Sequence, residues 1–296
     1  MVKICIVKIK IYQVDAFTEN PLSGNPAGVV PWADGMDEKT MQGIAREMNV
    51  SETVFVFHKD LSKGCDYRVR FFTPTTEVDY CGHGTIAAAH LLRELEVISR
   101  NSRSFRQGMN QDTWEISVEG DLLWILQGPV QMRRLEVDRG ELGFSLGLDP
   151  TKIKEITWAD AGNAVLLCEI SDRNSLDTMK PDWNALLDSS KRYEVKGIHC
   201  YALDPHDPSN HISTRVFAPL YGVQEDPATG STTSSLAFYL LSSAKLNPKD
   251  GILRIEQGIA MGRPSLLFAR MANQKEGSYV EVGGKAITVL SGEIQL

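Results

Sequence analysis

Glu52 is the first residue whose type and setting suggest chemistry. It follows a helix-like segment and precedes the continuous apolar run Val54 to Phe57, so its carboxylate should be partly removed from water. Because desolvation disfavours the charged form, we expect it to raise the pKa of Glu52 toward the range that suits acid-base catalysis. A glutamate that only caps a turn is the alternative interpretation.

Two glycine-containing loops are the other candidate sites, and each precedes a helix-like segment. The free N–H groups in the first turn of a helix, which glycines leave open to close approach, bind carboxylates or phosphates, so the loops predict a small anionic substrate. The alternatives are a simple N-cap for each helix, a hydrogen-bonded loop histidine and a turn aspartate. The loops contain Cys81, Gly82, His83, Gly84 and Thr85, and Asp226, Pro227, Ala228, Thr229, Gly230 and Ser231.

These loops belong to an internal repeat with an offset of 145 residues, close to half of the 296-residue chain. The motif RFFTP, residues 70–74, returns as RVFAP, residues 215–219, and Cys81 falls opposite Asp226 at the same offset. Epimerisation by two thiols needs a cysteine on each face of the substrate carbon. The repeat therefore predicts that Cys81 is not an essential nucleophile.

Hydrophobic periodicity predicts the elements that position these loops. A first helix spans Asp37 to Met48 and ends at Asn49 in a left-handed conformation, and two further helices, Thr85 to Leu95 and Ser231 to Leu241, should be buried on most faces. The remaining β-branched and aromatic runs predict strands. They are Ile4–Ala16, Thr53–Phe57, Tyr67–Thr73, Trp114–Val118, Leu122–Leu126, Ala164–Ile170, Ile212–Phe217, Leu253–Gln257, Ser265–Ala269 and Tyr279–Val282.

The fold class expected from these elements is α+β, with two pseudo-symmetric domains that each wrap a barrel-like curved sheet around one buried helix. We place the domains at residues 1–127 and 128–284, and a strand at about 285–296 is expected to return to the first domain. Facing halves of this kind would bring both helix N-termini to a common cleft.

Composition argues against several functional classes. A net charge of −7 and a pI near 5.5 predict no nucleic-acid partner and no membrane surface partner. Five scattered cysteines without a CxxC pair favour a reducing, cytoplasmic location, and no apolar run is long enough for a span. Nucleotide-binding and serine-hydrolase motifs are absent, and we expect neither cofactor nor metal. The histidines His206 and His211, beside Asp204 and Asp207, fit a surface turn better than a metal site.

Five motifs, in order, resemble the PhzF-like isomerase family, which is related in fold to diaminopimelate epimerase. They are VDAFTENPLSGNPAGVV, MNVSET, CGHGTIAAAH, EDPATGS and IEQGIAMGRPS, and they run from Val14 to Ser265. The resemblance implies a homodimer in which Glu52 moves a proton between substrate carbons. It also implies that His83, Asp226 and Ser231 line the same cleft and position the substrate.

The leading hypothesis is a cofactor-independent isomerase that acts on a small carboxylate. Its catalytic residues would be Glu52, His83 and Asp226, and its substrate-binding residues Gly82, Gly84, Thr229, Gly230 and Ser231. One alternative is a noncatalytic metabolite-binding or protein-interaction role on the same fold. A cysteine hydrolase that uses Cys81 and His83 is disfavoured, because neighbours two apart on one loop are poorly placed as nucleophile and base.

Overall fold

The chain is divided into two compact units in a computed structural model that describes residues 7–61, 64–109, 112–272 and 278–296. Unit 1 comprises residues 1–125 and 284–296, and unit 2 comprises residues 126–283. Residues 286–295 thus form a strand of unit 1, although all of unit 2 precedes them in the chain.

Each unit combines one sheet with a small number of helices. Unit 1 contains β1 (Lys8–Ala16), β2 (Asn25–Val30), α1 (Glu38–Met48), β3 (Glu52–Phe57), β4 (Tyr67–Phe72), β5 (Glu77–Val78), α2 (Gly82–Glu94), β6 (Ser104–Met109), β7 (Asp112–Glu119), most of β8 (Leu122–Gln127) and β18 (Ala286–Gln295). Unit 2 contains β9 (Gln131–Arg133), α3 (Arg139–Leu146), β10 (Ile153–Asp160), β11 (Ala164–Ile170), α4 (Arg173–Asp177), α5 (Trp183–Arg192), β12 (Gly197–Ala202), β13 (Ile212–Ala218), β14 (Val223–Asp226), α6 (Gly230–Ser242), β15 (Leu253–Gln257), β16 (Ser265–Ala272) and β17 (Tyr279–Gly284).

The two units repeat one topology. The strand order in unit 1 is β18-β1-β2-β3-β4-β6-β7-β8, and the β2/β3 and β4/β6 pairs are parallel. The order in unit 2 is β9-β10-β11-β12-β13-β15-β16-β17, and the parallel pairs β11/β12 and β13/β15 fall at the same places. The predicted duplication of a sheet with one central helix is therefore confirmed.

The central helices lie against these sheets and are buried on most faces, as predicted. In α2 the side chains of Ile86, Ala88 and Leu92 are fully buried, and the helix contacts β1, β2, β3 and β18. In α6 the side chains of Leu236 and Leu240 are fully buried. A helix that is apolar on all sides is stable only in such an environment.

Strand β3 is covered on both faces, which explains its continuous apolar sequence. Val54 approaches Gly84 of α2, while Phe55 and Phe57 pack with Met41 on the face that α1 covers. Helix α1 has the predicted ends, because the Asp37 side chain accepts a hydrogen bond from Thr40 N and Asn49 is left-handed with φ 50°.

Strand β2 was absent from the predicted elements because its sequence, NPAGVV, contains proline and glycine. Gly28 is needed there, since a Cβ would lie 2.7 Å from Thr53 Oγ1 on the neighbouring strand. At the start of β1, the predicted residues before Lys8, with Cys5 among them, lie outside the described residues. Among the described residues, no helix is long and apolar enough to cross a membrane.

Candidate active site

Unit 1 brings three of the singled-out side chains together at the point where β3 begins and α2 starts. Glu52 is the first residue of β3, Cys81 is the N-cap of α2, and His83 lies in the first turn of that helix. His83 Nε2 lies 3.1 Å from Glu52 Oε2, and both side chains are largely buried, with 9% and 19% exposed. Glu52 and His83 therefore form a close, poorly solvated pair.

The imidazole of His83 is held on two sides. Ser51 Oγ lies 3.1 Å from His83 Nε2 and donates its own hydrogen to Pro26 O at 3.4 Å. The Ser51 hydroxyl therefore lies at the same ring nitrogen that faces Glu52 Oε2. The other ring nitrogen, Nδ1, lies 3.5 Å from Cys81 Sγ. The sulfur also accepts from Gly84 N at 3.3 Å and so caps α2.

The expected rise in the pKa of Glu52 is wrong. Burial does act to raise the pKa of Glu52, but the charge and hydrogen bonding of His83, with smaller contributions from Ser51 and Cys81, hold it below its ordinary value. The counter-ion comes from a residue that is distant in sequence. Glu52 is therefore an ionised carboxylate at neutral pH.

His83 and Cys81 titrate in the opposite sense. Burial disfavours the imidazolium, yet the Cys81 sulfur and the Glu52 carboxylate raise the pKa of His83 well above its ordinary value. Burial and the Glu52 carboxylate raise the pKa of the Cys81 thiol. The Glu52 carboxylate, 3.1 Å from Nε2, thus favours both the charged form of His83 and the protonated form of Cys81.

This arrangement supplies a base beside a fixed cation. Glu52 Oε2 is buried, and the His83 imidazolium lies beside it at 3.1 Å. An oxygen with an unused lone pair can accept a proton from a bound molecule. The adjacent charge can then stabilise the anion that this proton leaves behind.

Cys81 and His83 were expected to be poorly placed as nucleophile and base, yet Cys81 Sγ lies 3.5 Å from His83 Nδ1. A thiolate nucleophile needs a lowered pKa, whereas the pKa of Cys81 is raised. The geometry of a cysteine-histidine pair is present, but the ionisation that such chemistry needs is not.

Unit 2 holds the second loop at the end of β14 and the start of α6. Thr229 Oγ1 donates to Asp226 Oδ2 at 2.5 Å, and Asp226 is half-buried. Thr229 is the N-cap of α6, but its side chain caps no N–H of the helix. With that hydroxyl directed to Asp226, the Thr229 side chain does not cap the first-turn N–H groups of α6.

The repeat register changes between the sheet and the central helix. Strand β13 follows β4 by 145 residues, whereas α6 begins 148 residues after α2, which starts at Gly82. The N-cap that corresponds to Cys81 is therefore Thr229, and the sequence pairing of Cys81 with Asp226 is wrong. Neither Asp226 nor Thr229 is a cysteine, so unit 2 has no thiol at the place that corresponds to Cys81, as the sequence predicted.

Donor atoms of Glu52, Cys81 and His83 all lie within 4.8 Å of one another, a set that could hold a metal ion. A metal would have to displace the proton on His83 Nε2 and the thiol proton of Cys81. The His206 and His211 segment serves another purpose. Its backbone N–H groups at residues 206 and 207 donate to Glu256, and His211 Nδ1 accepts from the N–H of residue 254.

Sequence reasoning gave no role to two residues of these sites. Ser51 orients His83, and Gln257 is hydrogen-bonded to the loop that carries Asp226. Both lie in motifs that carried the resemblance, MNVSET and IEQGIAMGRPS, so their positions were visible but their contacts were not.

Known proteins share this architecture over nearly the whole chain. A family model described as phenazine biosynthesis-like protein matches residues 14–292. An uncharacterised isomerase of Clostridium acetobutylicum is 32% identical, with 98% of this chain and 99% of the relative covered. A trans-2,3-dihydro-3-hydroxyanthranilate isomerase of Pseudomonas aeruginosa is 30% identical, with 96% and 98% covered. The crystal structure of a Bacillus anthracis phenazine biosynthesis protein of the PhzF family aligns with a TM-score of 0.90 at 27% identity, covering 98% of this chain and 100% of that one.

These likenesses place the chain among the isomerases that are built from two such sheet-and-helix units. It belongs to the phenazine biosynthesis-like family, which confirms the resemblance drawn from the five motifs.

Proposed function

We propose that this protein is a cofactor-independent isomerase that moves a proton between two carbons of a small carboxylate substrate, with Glu52 as acid and base. The observation that carries the proposal is the buried contact of 3.1 Å between Glu52 Oε2 and His83 Nε2. It combines an ionised base with a cation that stays beside it throughout the reaction.

In the proposed reaction, the Glu52 carboxylate removes a proton from one carbon, and the electron pair of that C–H bond enters the conjugated system of the substrate. The resulting carboxylic acid returns the proton to a second carbon, so a double bond shifts and nothing is oxidised or reduced. The imidazolium of His83 stabilises the negative charge that develops on the substrate.

The substrate carboxylate would be held by the first-turn N–H groups of Gly230 and Ser231 in α6. The N–H of Gly84 in α2 is already bound to Cys81 Sγ, so the expected substrate-binding role of Gly84 is not part of the proposal. Asp226, oriented by Thr229, would accept a hydrogen bond from a hydroxyl or amino group of the substrate. An unsaturated ring carboxylate with such substituents meets both requirements. The substrate named for the Pseudomonas aeruginosa relative is of this kind and is the first compound to test.

The test is proton exchange with solvent, measured with the wild-type chain and Glu52→Gln. A panel of unsaturated and amino-acid-like carboxylates, with trans-2,3-dihydro-3-hydroxyanthranilate first, is incubated in heavy water and analysed for product and deuterium. A general base contributes about 10²- to 10⁴-fold in rate, so Glu52→Gln should lose that much turnover and its deuterium uptake while still binding substrate.

Glu115→Gln is the matched control, because Glu115 is an exposed residue of β7 in the same unit. It should turn over at the wild-type rate. Near-normal turnover by Glu52→Gln would make Glu52 structural and leave His83 or Asp226 as the base. Binding of these carboxylates without any exchange would favour a noncatalytic metabolite-binding role.

A further inference from the structure

Two of the buried polar side chains in the motif IEQGIAMGRPS hydrogen-bond to the loop before α6, and none of the proposed catalytic steps uses them. Gln257 ends β15 and is 1% exposed, and Ser265 begins β16 and is 5% exposed. Buried polar side chains are costly unless they are hydrogen-bonded. The partners of these two residues therefore indicate what the motif does.

The side-chain amide of Gln257 hydrogen-bonds to the loop that precedes α6. Its Oε1 accepts from Thr229 N at 3.2 Å. Its Nε2 donates to the main-chain oxygen of Asp226 at 2.7 Å and to Thr229 Oγ1 at 3.0 Å. One amide thus joins both ends of the turn between Asp226 and Thr229.

The rest of the motif packs on the middle of the same turn. Ser265 Oγ donates to Pro227 O at 2.7 Å. Gly258 has φ +75°, and a Cβ there would lie 2.7 Å from Pro227 O. Only glycine fits this left-handed position against the loop without strain. The motif therefore packs against the segment from Asp226 to Thr229 and hydrogen-bonds to it.

The donor and acceptor roles among Gln257, Thr229 and Asp226 are also fixed. Because Gln257 Nε2 donates to Thr229 Oγ1, that oxygen acts as an acceptor, and its single hydrogen is given to Asp226 Oδ2 at 2.5 Å. The amide thereby sets the orientation of the Asp226 carboxylate. It also keeps the Thr229 hydroxyl away from the first-turn N–H groups of α6.

We propose that Gln257 is a positioning residue, which acts through Thr229 to orient Asp226 and to keep the start of α6 open for the substrate. This inference rests on the proposed function, because it takes Asp226 and the start of α6 as substrate-binding groups. Gln257 itself touches no reacting atom.

The test compares Gln257→Leu with Ser189→Ala. Ser189 is the control in the same unit, because its side chain is also buried and hydrogen-bonded, with Ser145 Oγ at 2.9 Å, while it lies on α5 and outside both candidate loops. Both variants lose a buried hydrogen-bonding group and should lose thermal stability. Only Gln257→Leu should lower kcat/KM, by about 10²-fold for a displaced binding group, with KM raised.

A second variant, Gln257→Glu, gives a readout that a merely structural role would not move. A buried carboxyl is protonated in its resting form, so it can still accept from Thr229 N and donate one hydrogen to the loop. Once ionised it can donate none. The kcat/KM of Gln257→Glu, relative to wild type, should therefore be highest at acid pH and fall as pH rises, and this variant also serves if Gln257→Leu fails to fold.

Equal kinetic losses in Gln257→Leu and Ser189→Ala would overturn the inference, as would a wild-type kcat/KM in folded Gln257→Leu. A pH-independent ratio for Gln257→Glu would overturn it as well. These outcomes are separable from failure of the proposed function, which is decided by Glu52→Gln. If Glu52→Gln is inactive while Gln257→Leu is unchanged, only the positioning role is lost.

Discussion

The arginine of the repeated RxFxP motif offers a matched pair for a stability measurement. Arg215 forms a two-pronged ion pair with Glu225, at 2.9 Å and 2.8 Å, in which the two side chains are 8% and 11% exposed. Arg70 pairs with Glu77 in the same way, at 2.7 Å and 2.6 Å, but the side chains are 20% and 30% exposed. Arg70 also pairs with Glu38 at 2.9 Å, but 71% of the Glu38 side chain is exposed, so the carboxylate partners of Arg70 remain open to water and that of Arg215 does not.

Arg215 has a second task that Arg70 lacks. Its Nη1 donates to the main-chain oxygens of Leu176 and Met179, each at 3.0 Å, which ties the segment after α4 to the sheet of unit 2. Arg215→Met would leave the Glu225 carboxylate buried without its partner and would leave both carbonyls without this donor. Removing one member of a buried ion pair costs about 3 to 5 kcal/mol, and we expect a loss in that range.

Arg70→Met should cost about 1 kcal/mol, because water can reach the carboxylate of Glu77. Urea unfolding followed by tryptophan fluorescence measures both losses, with the m-values compared to check that each variant unfolds alike. The double variant Arg215→Met with Glu225→Gln should recover part of the loss, since it removes the unpaired charge. Equal losses at Arg70 and Arg215, or no recovery in the double variant, would refute this reasoning from burial.

Two further predictions concern the Glu52 site. Cys81→Ala should keep substantial turnover, because the thiol is held in its protonated form and Thr229 is the corresponding N-cap in unit 2; complete loss of activity in a folded variant would restore a thiol mechanism. The kcat/KM of the wild type should stay level across neutral pH. Glu52 loses its proton below the ordinary carboxyl pKa, so the acid limb of the kcat/KM profile should lie below the usual carboxyl range. His83 keeps its proton above the ordinary histidine pKa, so the alkaline limb should lie above the usual histidine range. An alkaline limb near the ordinary histidine pKa would contradict this assignment.

Local pattern was sufficient for the central helices and for most strands. The ends of α1 followed from Asp37 and Asn49, whose capping roles depend only on neighbouring backbone. Strand β2 was missed because Pro26 and Gly28 ordinarily argue against a strand. Proline is tolerated near the start of a strand, and the close approach of Thr53 explains the glycine. Neither fact is visible without the neighbouring strand.

The candidate site shows the same limit. The sequence identified Glu52 and His83, but it gave the wrong direction for the pKa of Glu52, because burial was inferred from adjacent residues while the counter-ion lies on another element. Similarly, the pairing of Cys81 with Asp226 followed a constant offset, and the register changes by three residues before α6. Contacts between distant segments decide both properties.

The position of β18 has a consequence for the nascent chain. Every strand of unit 2 leaves the ribosome before β18, which pairs along β1 from Lys8 opposite Gln295 to Ala16 opposite Ala286. The sheet of unit 2 can therefore form first, while β1 lacks its partner β18 during the synthesis of the 158 residues from 126 to 283. Lysines on an edge strand hinder pairing with other chains, and β1 carries Lys8 and Lys10. The two lysine charges that interrupt the apolar pattern of β1 should therefore hinder aggregation of the incomplete unit 1 sheet during translation.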